Sequence, residues 1–332
     1  MTFKRTKKLV SILTPCYNGA RVIRRLLDSV LQQDYPYVEM IIVDDGSIDD
    51  SKNIINSYQD KFVNRGYSLF YIYQENKGQA AAINNGLKNV SGEYLIWPDC
   101  DDFFSFPSSI STFVNSFLKL DDEYGVVRCF ANVLDEKDLH TLYVRKHNVM
   151  KERFFVEFFT CVESIAGAGL YMVRMDAFDR VNPSRDIYSE EKPQNWQLLL
   201  PILYSYKIYT IKKTLHNIVV NSHSHSREQK KFEEHIKGFD GYLSILIHTL
   251  DKIQMSSIER MRFQKICLIR NLLDKLDLSM DFYRRKDAIN YVRELKKYKY
   301  RFSLAKKIKI LVLTISPMLF RFIMKKYWAI LK

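Results

Sequence analysis

The sequence predicts an α/β protein with a mainly parallel sheet, followed by a helical C-terminal appendage. Apolar, strand-like runs alternate with helical stretches over the first hundred residues, with roughly 25–30 residues between successive strands, the spacing of βα units. Beyond Ser226 the pattern is wholly helical. The chain has 332 residues, 47% of them hydrophobic, and can therefore bury a sizeable core. We predict a main domain over residues 1–225 and a helical region over residues 226–332.

Hydrophobic periodicity assigns the elements of the first hundred residues in order. The apolar runs predict strands at Val10–Thr14, Met40–Val43, Leu69–Tyr73 and Tyr94–Trp97. Apolar faces with helical spacing predict helices at Val22–Leu31, around Ile54–Tyr58 and at Gln79–Leu87. Strands and helices therefore alternate from the start of the chain.

From about Phe103 the pattern becomes α+β. It predicts helices at Thr112–Leu120 and Gln197–Tyr204, and strands at Val126–Val133, Leu170–Val173 and Ile208–Val220. Further on, Ser256 and Glu259 have the spacing of a capping box, which predicts the start of a helix that runs through Leu273.

Cysteine usage and the N-terminal sequence predict a cytoplasmic protein. The five cysteines are scattered and never spaced as C-x-x-C, which favours a reducing compartment over a disulfide framework or a zinc site. Met1–Lys8 is polar and basic, and no apolar signal-peptide region follows it. We therefore do not expect secretion.

The positive charge is concentrated in the last forty residues. Residues 295–332 contain eleven Lys or Arg residues and no acid, and they account for most of the net charge of +13. The rest of the chain is almost neutral, which argues against nucleic acid as a partner. The tail instead favours contact with an anionic surface.

The same tail has the pattern of an amphipathic helix. Its basic side carries Lys307, Thr314, Arg321, Lys325 and Lys332, and its apolar side Ile308, Val312, Ile315, Leu319, Ile323 and Ile330. The uncharged run Ile310–Phe320 has eleven residues, too few to cross a bilayer about 30 Å thick. We expect the helix to lie on the inner face of the cell membrane. The alternative is that its apolar side packs on the rest of the protein or on a second copy in an oligomer.

Polar clusters follow three of the predicted strands. They are Pro15–Asn18, Asp44–Ser47 and Asp99–Asp102. In an open α/β sheet, ligands bind at the carboxyl ends of the strands. Each cluster alone could be a turn or a helix cap, but their occurrence at one edge of the sheet favours a binding site.

The acidic cluster predicts a divalent cation. Asp99 and Asp101 are two residues apart, so in extended backbone their side chains face the same ligand. Neighbouring carboxylates repel each other unless a cation neutralises them, and hard oxygen ligands select Mg²⁺ or Mn²⁺. Such an ion would bridge a diphosphate and stabilise its departure. A solvated acidic turn is the alternative interpretation.

Four motifs between Val10 and Asp102 carry a family resemblance. They read V-S-x-x-x-P-x-Y-N from Val10, V-D-D-G-S from Val43, N-x-G-x-x-x-A-x-N-x-G from Asn76, and D-x-D-D from Asp99. In order and spacing they resemble the inverting family 2 glycosyltransferases of GT-A fold. The resemblance covers about the first third of the chain. It implies a Rossmann-like catalytic domain with a nucleotide-binding half at 1–102 and an acceptor-side half at 103–225.

The resemblance also implies a set of site residues and ligands. The implied nucleotide-sugar-binding residues are Pro15, Tyr17, Asn18, Asp45, Asn76, Gly78, Asn84 and Asp99. Among these, Pro15 and Tyr17 would line the base and ribose pocket, and Asp45 would read the nucleobase. Asp101 would bind the metal and the diphosphate. One departure is Ile83, because many relatives carry Arg there beside the diphosphate.

The acceptor side departs from the family at the catalytic acid. Gly167–Met172 resembles the segment ahead of this acid, and the family commonly follows with Glu-Asp-Trp, in which the Asp is the base. This chain has Gln194-Asn195-Trp196 there, and an amide cannot act as a base. Either Glu191 or Glu190 has taken over the role, with Glu191 favoured, or the match is offset by three or four residues.

A late histidine is the last implied contact. Enzymes of GT-A fold often take a further metal or diphosphate ligand from such a residue, and His225, with His223 beside it, is the candidate here. The alternative is a solvated polar loop.

The sequence thus predicts a metal-dependent, inverting glycosyltransferase. Its donor would be a nucleotide diphosphate sugar, with UDP favoured, and its acceptor a glycan or a lipid-linked glycan of surface polysaccharide synthesis. Two rival functions remain. A nucleotidyltransferase usually has a Gly-rich, basic phosphate loop after its first strand, which Pro15–Gly19 lacks. A non-enzymatic membrane-surface binding protein would not need the acidic cluster.

Overall fold

A mixed sheet forms the centre of the first two-thirds of the chain in the computed structural model, which describes residues 5–160, 167–190, 194–220 and 231–316. Its strands are β1 (Thr6–Cys16), β2 (Val38–Asp45), β3 (Ser68–Gln74), β4 (Gly92–Ile96), β5 (Phe103–Phe104), β6 (Tyr124–Asp135), β7 (Thr141–Arg145), β8 (Tyr171–Arg174) and β9 (Lys207–Val220). Their order in the sheet is β3-β2-β1-β4-β8-β6-β9-β5, and β7 pairs with β6.

Helices flank this sheet and make up the C-terminal third. They are α1 (Ile23–Leu31), α2 (Ser51–Asn56), α3 (Gln59–Arg65), α4 (Gln79–Leu87), α5 (Ser109–Phe117), α6 (Phe155–Phe159), α7 (Met175–Val181), α8 (Asn195–Ser205), α9 (Phe232–Lys252), α10 (Ser257–Asp281), α11 (Arg285–Lys297) and α12 (Leu304–Ile315).

The half of the sheet made of β1 to β4 is parallel. The central strand β1 pairs with β2 on one side and β4 on the other. Val10, Ile12 and Leu13 in β1 are fully buried, as expected for a parallel strand covered on both faces. The register sets Cys16 opposite Asp44, so these strands end level with each other. Whatever follows them in sequence therefore meets at one edge.

The second half of the sheet is mixed. Strand β8 runs antiparallel to both β4 and β6, β6 runs parallel to β9, and β5 runs antiparallel to β9. The two-residue strand β5 and the exposed strand β7 escaped the sequence analysis, as did α6 and α7. The predicted fold class, an α/β domain with a mainly parallel sheet and a helical C-terminal region, is confirmed.

Most of the predicted elements are present. Helix α4 has the predicted bounds, and β1, β2 and β3 extend one to four residues further at each end than their apolar runs. The single helix predicted around Ile54–Tyr58 is wrong in one respect, since α2 ends at Asn56 and α3 begins at Gln59. The capping box of α10 is confirmed, because the Ser256 hydroxyl accepts a hydrogen bond from Glu259 N–H and the Glu259 carboxylate accepts one from Ser256 N–H.

The chain divides into two compact units. One contains residues 1–227 and 251–254, and the other contains residues 228–250 and 255–332. The further division of the first unit into a nucleotide-binding half and an acceptor-side half stays a prediction. None of the helices in the described ranges has the length and apolar character that crossing a bilayer requires.

The helical unit has its own core and an exposed apolar stripe. Leu276, Leu295 and Leu313, from α10, α11 and α12, pack together with other buried side chains. Val312, predicted on the apolar side of the tail helix, packs partly against this core, as in the alternative in which that side covers the rest of the protein. The exposed apolar stripe of α12 consists of Leu304, Ile308, Leu311 and Ile315.

Candidate active site

An open cleft of about 640 Å³ lies where β1, β2 and β4 end. The three polar clusters that follow these strands in sequence all contribute to its walls, because the parallel strands end at one edge of the sheet. The lining residues that the sequence predicted are Pro15, Tyr17, Asn18, Asp45, Asn76, Gly78, Asp99 and Asp101. The structure therefore brings most of the predicted site residues together.

Asp45 holds the loop that forms one wall of the cleft. Its buried carboxylate accepts a hydrogen bond from Gln74 Nε2 at 2.7 Å, from Lys77 N–H at 2.9 Å and from Gly78 N–H at 2.8 Å. Gly78 precedes α4 with a φ of 90°, a conformation that glycine adopts without strain. These bonds give Asp45 a positioning role, and its contact with a nucleobase stays a prediction.

Asn18 joins the loop after β1 to the loop after β2, and Asp44 holds the second of these loops. Asn18 N–H donates to Ser47 Oγ at 2.9 Å, and Asn18 Oδ1 accepts from Ile48 N–H at 3.0 Å. Asp44 accepts from Ser47 N–H at 2.8 Å and from the Tyr71 hydroxyl at 2.7 Å. Burial and the bond to Asp44 raise the pKa of Tyr71, so this hydroxyl keeps its proton. Hydrogen bonds thus join the two loops along one wall of the cleft.

The acidic cluster after β4 is compact. Asp99, Asp101 and Asp102 each place a carboxylate oxygen within 4.8 Å of the others. Asp99 accepts a hydrogen bond from Gln79 Nε2 at 2.7 Å, and Asp102 accepts one from Val219 N–H at 2.9 Å. Asp101 is exposed to the cleft, so it is the member best placed to meet a ligand.

Burial and mutual repulsion disfavour negative charge in this cluster. Burial raises the pKa of Asp99 and of Asp102 well above the usual value, and the neighbouring carboxylates add to the rise. Loss of hydration also raises the pKa of Asp101. A divalent cation would relieve this repulsion, and the three carboxylates provide the hard oxygen ligands that Mg²⁺ and Mn²⁺ prefer. The residues present therefore fit such an ion.

A buried histidine that the sequence analysis does not single out lies behind the acidic cluster. His216 of β9 is fully buried, with Nε2 3.6 Å from Asp102 Oδ2. Burial lowers the pKa of His216 to about 3, so the ring is neutral. A Cβ on Gly169 would lie 2.3 Å from His216 Nε2, so glycine is needed there for the ring to fit. The sequence signal was a polar His-Asn pair inside an apolar strand.

The one basic side chain among the described residues that line the cleft lies on α1, a helix that the sequence predicts without singling out that residue. Ile83, at the position where the family resemblance leads us to expect Arg, is fully buried and does not line the cleft. Arg25 of α1 lines the cleft instead. The sequence showed Arg25 only as one of several polar residues on the solvent-facing side of its helix, with nothing to distinguish it from Arg21 or Arg24.

Two amides fix the chain ahead of the proposed catalytic acids. Asn84 Nδ2 donates to Ile187 O at 2.8 Å, and Asn84 Oδ1 accepts from Ile187 N–H at 2.7 Å. Gln197 bonds both backbone groups of Tyr188 in the same way, at 2.8 and 2.7 Å. Asn84 is thus engaged outside the cleft, and the structure does not bring it to the other predicted donor-binding residues. Glu190 accepts from the Tyr188 hydroxyl at 3.0 Å and does not line the cleft.

The amide at the position of the family's acid has a structural partner. Asn195 Oδ1 accepts a hydrogen bond from Trp97 Nε1 at 2.7 Å, so it holds the indole at the end of β4. This bond supports the inference that Asn195 is not the base. Glu191 and His225, with His223, lie outside the described residues, and their predicted roles stay predictions.

Comparisons with known families and with relatives give consistent matches. The model of glycosyl transferase family 2 matches residues 11–182, just over half of the chain. An uncharacterised glycosyltransferase of Rickettsia typhi is 38% identical over 159 residues, which is 47% of each chain. The putative teichuronic acid biosynthesis glycosyltransferase TuaG of Bacillus subtilis is 40% identical over 96 residues, 29% of this chain and 37% of TuaG. These alignments span half or less of the relatives' own length.

Solved structures show the same fold at low identity. The structure of S. aureus TarS 1–349 in complex with UDP-GlcNAc has a TM-score of 0.60 and 15% identity, over 89% of this chain and 94% of that one. The mannosyltransferase PcManGT of Pyrobaculum calidifontis, in complex with GDP-Man and Mn²⁺, has a TM-score of 0.52 and 16% identity, over 94% and 84%. The fold is that of the GT-A glycosyltransferases.

Proposed function

Because the chain belongs to glycosyl transferase family 2, we propose that it moves a sugar from a nucleotide diphosphate donor to a hydroxyl group of an acceptor. The observation that carries this proposal is the cluster of Asp99, Asp101 and Asp102 in the cleft at the carboxyl edge of the sheet. We further propose that transfer depends on a metal ion and inverts the sugar carbon. The proposed acceptor is a glycan or a lipid-linked glycan of surface polysaccharide synthesis.

The shape and chemistry of the cleft support a nucleotide sugar as donor. Its volume of about 640 Å³ lies within the roughly 300–1,000 Å³ of small-molecule sites. Tyr17 lines it with half of its surface exposed, so an aromatic face is available to a base. TarS was solved with UDP-GlcNAc and PcManGT with GDP-Man, so proteins of this fold accept different bases. We favour UDP.

The cation would be held by Asp101, with Asp99 or Asp102 beside it. When bound, it would offset the charge that develops on the departing nucleoside diphosphate. Gln79 bonds Asp99, and Val219 N–H bonds Asp102, so both flanking carboxylates are held in place around the exposed one. His225 remains the proposed further ligand.

The protein's remaining task is to activate the acceptor hydroxyl. In an inverting transfer the acceptor oxygen forms a bond to the anomeric carbon while the bond to the diphosphate oxygen breaks. A carboxylate takes the hydroxyl proton, for which we propose Glu191 or, failing that, Glu190. The bonds of Asn84 and Gln197 to the chain at 187–188 support this assignment, because they fix the segment that leads to both acids.

A panel of nucleotide sugars tests the proposal. We expect the purified protein to release UDP slowly from a UDP-sugar in the presence of Mn²⁺, and to stop when EDTA is added. GDP- and dTDP-sugars in parallel identify the base. Release of pyrophosphate from a nucleoside triphosphate and a sugar phosphate would favour the rival nucleotidyltransferase instead. No turnover of any donor, with or without lipid-linked acceptors, would favour a binding protein.

We also propose that α12 attaches the protein to an anionic membrane surface. Leu304, Ile308, Leu311 and Ile315 lie on one side of α12, at helical spacing, and are 74%, 53%, 57% and 67% exposed. The surrounding tail carries eleven basic residues and no acid. Each basic residue near an anionic leaflet contributes roughly 1 kcal/mol, so the tail and the stripe together suffice for reversible attachment.

Charges placed on the stripe should release the protein from lipid. We expect the full-length chain to sediment with phosphatidylserine-containing vesicles at low salt, and the double variant Ile308→Asp, Leu311→Asp to stay in the supernatant. The matched control is Ile258→Asp, Met261→Asp, since both side chains are exposed on α10. If both double variants stay in the supernatant, the change in charge alone explains the loss of binding. If the full-length protein does not sediment with the vesicles, the stripe is instead a contact between copies of the chain.

A further inference from the structure

Arg25 is the one cationic side chain among the described residues that line the cleft. It projects from α1, whose preceding loop carries Tyr17 and Asn18. The acidic side chains in the same lining are those of Asp45, Asp99, Asp101 and Glu136. A single guanidinium in a cleft with several carboxylates would be expected to pair with one of them. Its hydrogen bonding shows otherwise.

One edge of the Arg25 guanidinium is left without partners. Nε and Nη2 are enclosed by protein, and neither has a hydrogen-bond partner among the described residues. In Arg174 this edge binds Asp176, with both nitrogens 3.1 Å from the carboxylate. In Arg185 it binds Asp179, at 2.7 and 2.9 Å. In both of these arginines, therefore, a carboxylate binds the edge that is unpaired in Arg25.

Leaving charged donors buried and unpaired is costly, because they have lost their water and gained nothing in exchange. The Nε–Nη2 edge presents two parallel N–H groups, which match two oxygens of a carboxylate or a phosphate. Because the edge is enclosed in the free protein, the outer torsions of this long side chain would have to rotate to bring it into the cleft that Arg25 lines. An anionic ligand in the cleft would therefore supply the hydrogen-bond acceptors that Nε and Nη2 of Arg25 lack in the free protein.

The position of Arg25 matches the end of the cleft where phosphate would lie. Its charge is close enough to Asp101 and Asp102 to offset part of the rise in the pKa of each. Arg25 thus lies near the proposed cation, while Asn76 and Gly78 line the cleft as uncharged residues. A guanidinium close to a bound metal cation favours a ligand with several negative charges, such as a diphosphate, which both positive groups can contact.

We propose that Arg25 binds the diphosphate of the donor through its Nε–Nη2 edge, and so makes the cleft select nucleoside diphosphates over monophosphates. This inference rests on the proposed function, and it adds a phosphate-binding residue on α1 to a site whose other described charges are acidic.

Calorimetric titration of the full-length chain with UDP and with UMP, in Mn²⁺, tests the proposal. We expect Arg25→Gln to weaken UDP binding by about 10- to 100-fold, the scale of losing a charged hydrogen-bonded pair, and to change UMP binding much less. Arg25→Lys should recover only part of the loss, because lysine keeps the charge but not the fork. The matched control is Arg21→Gln, on the exposed side of the chain just before α1.

Thermal unfolding without ligand separates binding from folding. Removal of an unpaired buried cation should leave the Tm of Arg25→Gln unchanged or raised, whereas a structural arginine would lower it on removal. Equal UDP affinity of Arg25→Gln and wild type would overturn the proposal, as would equal losses for UDP and UMP. Wild-type protein that binds neither UDP nor GDP would overturn the proposed function itself, which is a different result.

Discussion

Replacement of Asp101 by Asn is expected to lower turnover by at least about 100-fold, the scale of losing one electrostatic stabiliser of a transition state. Asp101 is the exposed member of the acidic cluster, and its carboxylate is the one free to meet a cation in the cleft. An amide keeps the shape of the side chain but loses the charge. EDTA should reduce the wild type to a similar rate, and Mn²⁺ should restore it.

The control for this variant is Asp60→Asn, an exposed acid in the first turn of α3, which should keep full activity.

A second readout is thermal stability. Because the pKa values of Asp99 and Asp102 are raised by folding, the free protein loses stability as the pH rises from about 4 through those values. Mn²⁺ should therefore raise the Tm of the wild type more at pH 7 than at pH 5. Full activity of Asp101→Asn in chelator would contradict the metal-dependent mechanism.

Replacement of Glu191 by Gln is expected to abolish transfer while leaving UDP affinity intact. General-base catalysis contributes about 10²- to 10⁴-fold, and the base acts on the acceptor hydroxyl and not on the donor. Single-turnover transfer to an acceptor, paired with calorimetric binding of UDP, measures both quantities. Loss of transfer together with loss of binding would indicate a structural defect.

Two further variants make this experiment decisive. Glu190→Gln should retain most activity, and Tyr188→Phe, which removes the hydroxyl bonded to Glu190, should match it. If Glu190→Gln is inactive and Glu191→Gln active, the base is Glu190. If both are active, the acid lies elsewhere. Asp186, the next acid to consider, is a poor candidate for the base. Burial raises its pKa, but the ion pair with Lys252 and the hydrogen bond from Ser184 lower it more, and a lower pKa makes a weaker base.

The sequence predicts the carboxyl ends of strands β1, β2 and β4 better than it predicts the mixed half of the sheet. The loops after β1, β2 and β4 are encoded locally, because Pro, Asp or Gly directly after an apolar run is a local signal that a strand is about to end. Helix α4 is also predicted locally, from apolar residues at helical spacing. The antiparallel insertion of β8 between β4 and β6 joins residues that are distant in sequence, and no local pattern specifies such a pairing.

The limits of prediction at the site have the same origin. Asp45 was predicted as a ligand contact from its motif, but its carboxylate is bonded to Gln74 and to the loop at 77–78, which only the packed structure reveals. Arg25 could not be distinguished from Arg24, since both read as polar residues on one helix. What sets Arg25 apart is the missing partner of two nitrogens, a property of the fold and not of the sequence.

The paired amide bonds at 187–188 have a consequence for how this protein can be recombined. Asn84 belongs to α4 and Gln197 to α8, yet each matches backbone groups of the same short stretch. A chimera that joins the second half of this domain to the first half of a relative without an amide at position 84 would lose the pair of hydrogen bonds that holds Ile187. Exchange of acceptor specificity between relatives therefore has to move Asn84 together with residues 183–220, although the two are about a hundred positions apart.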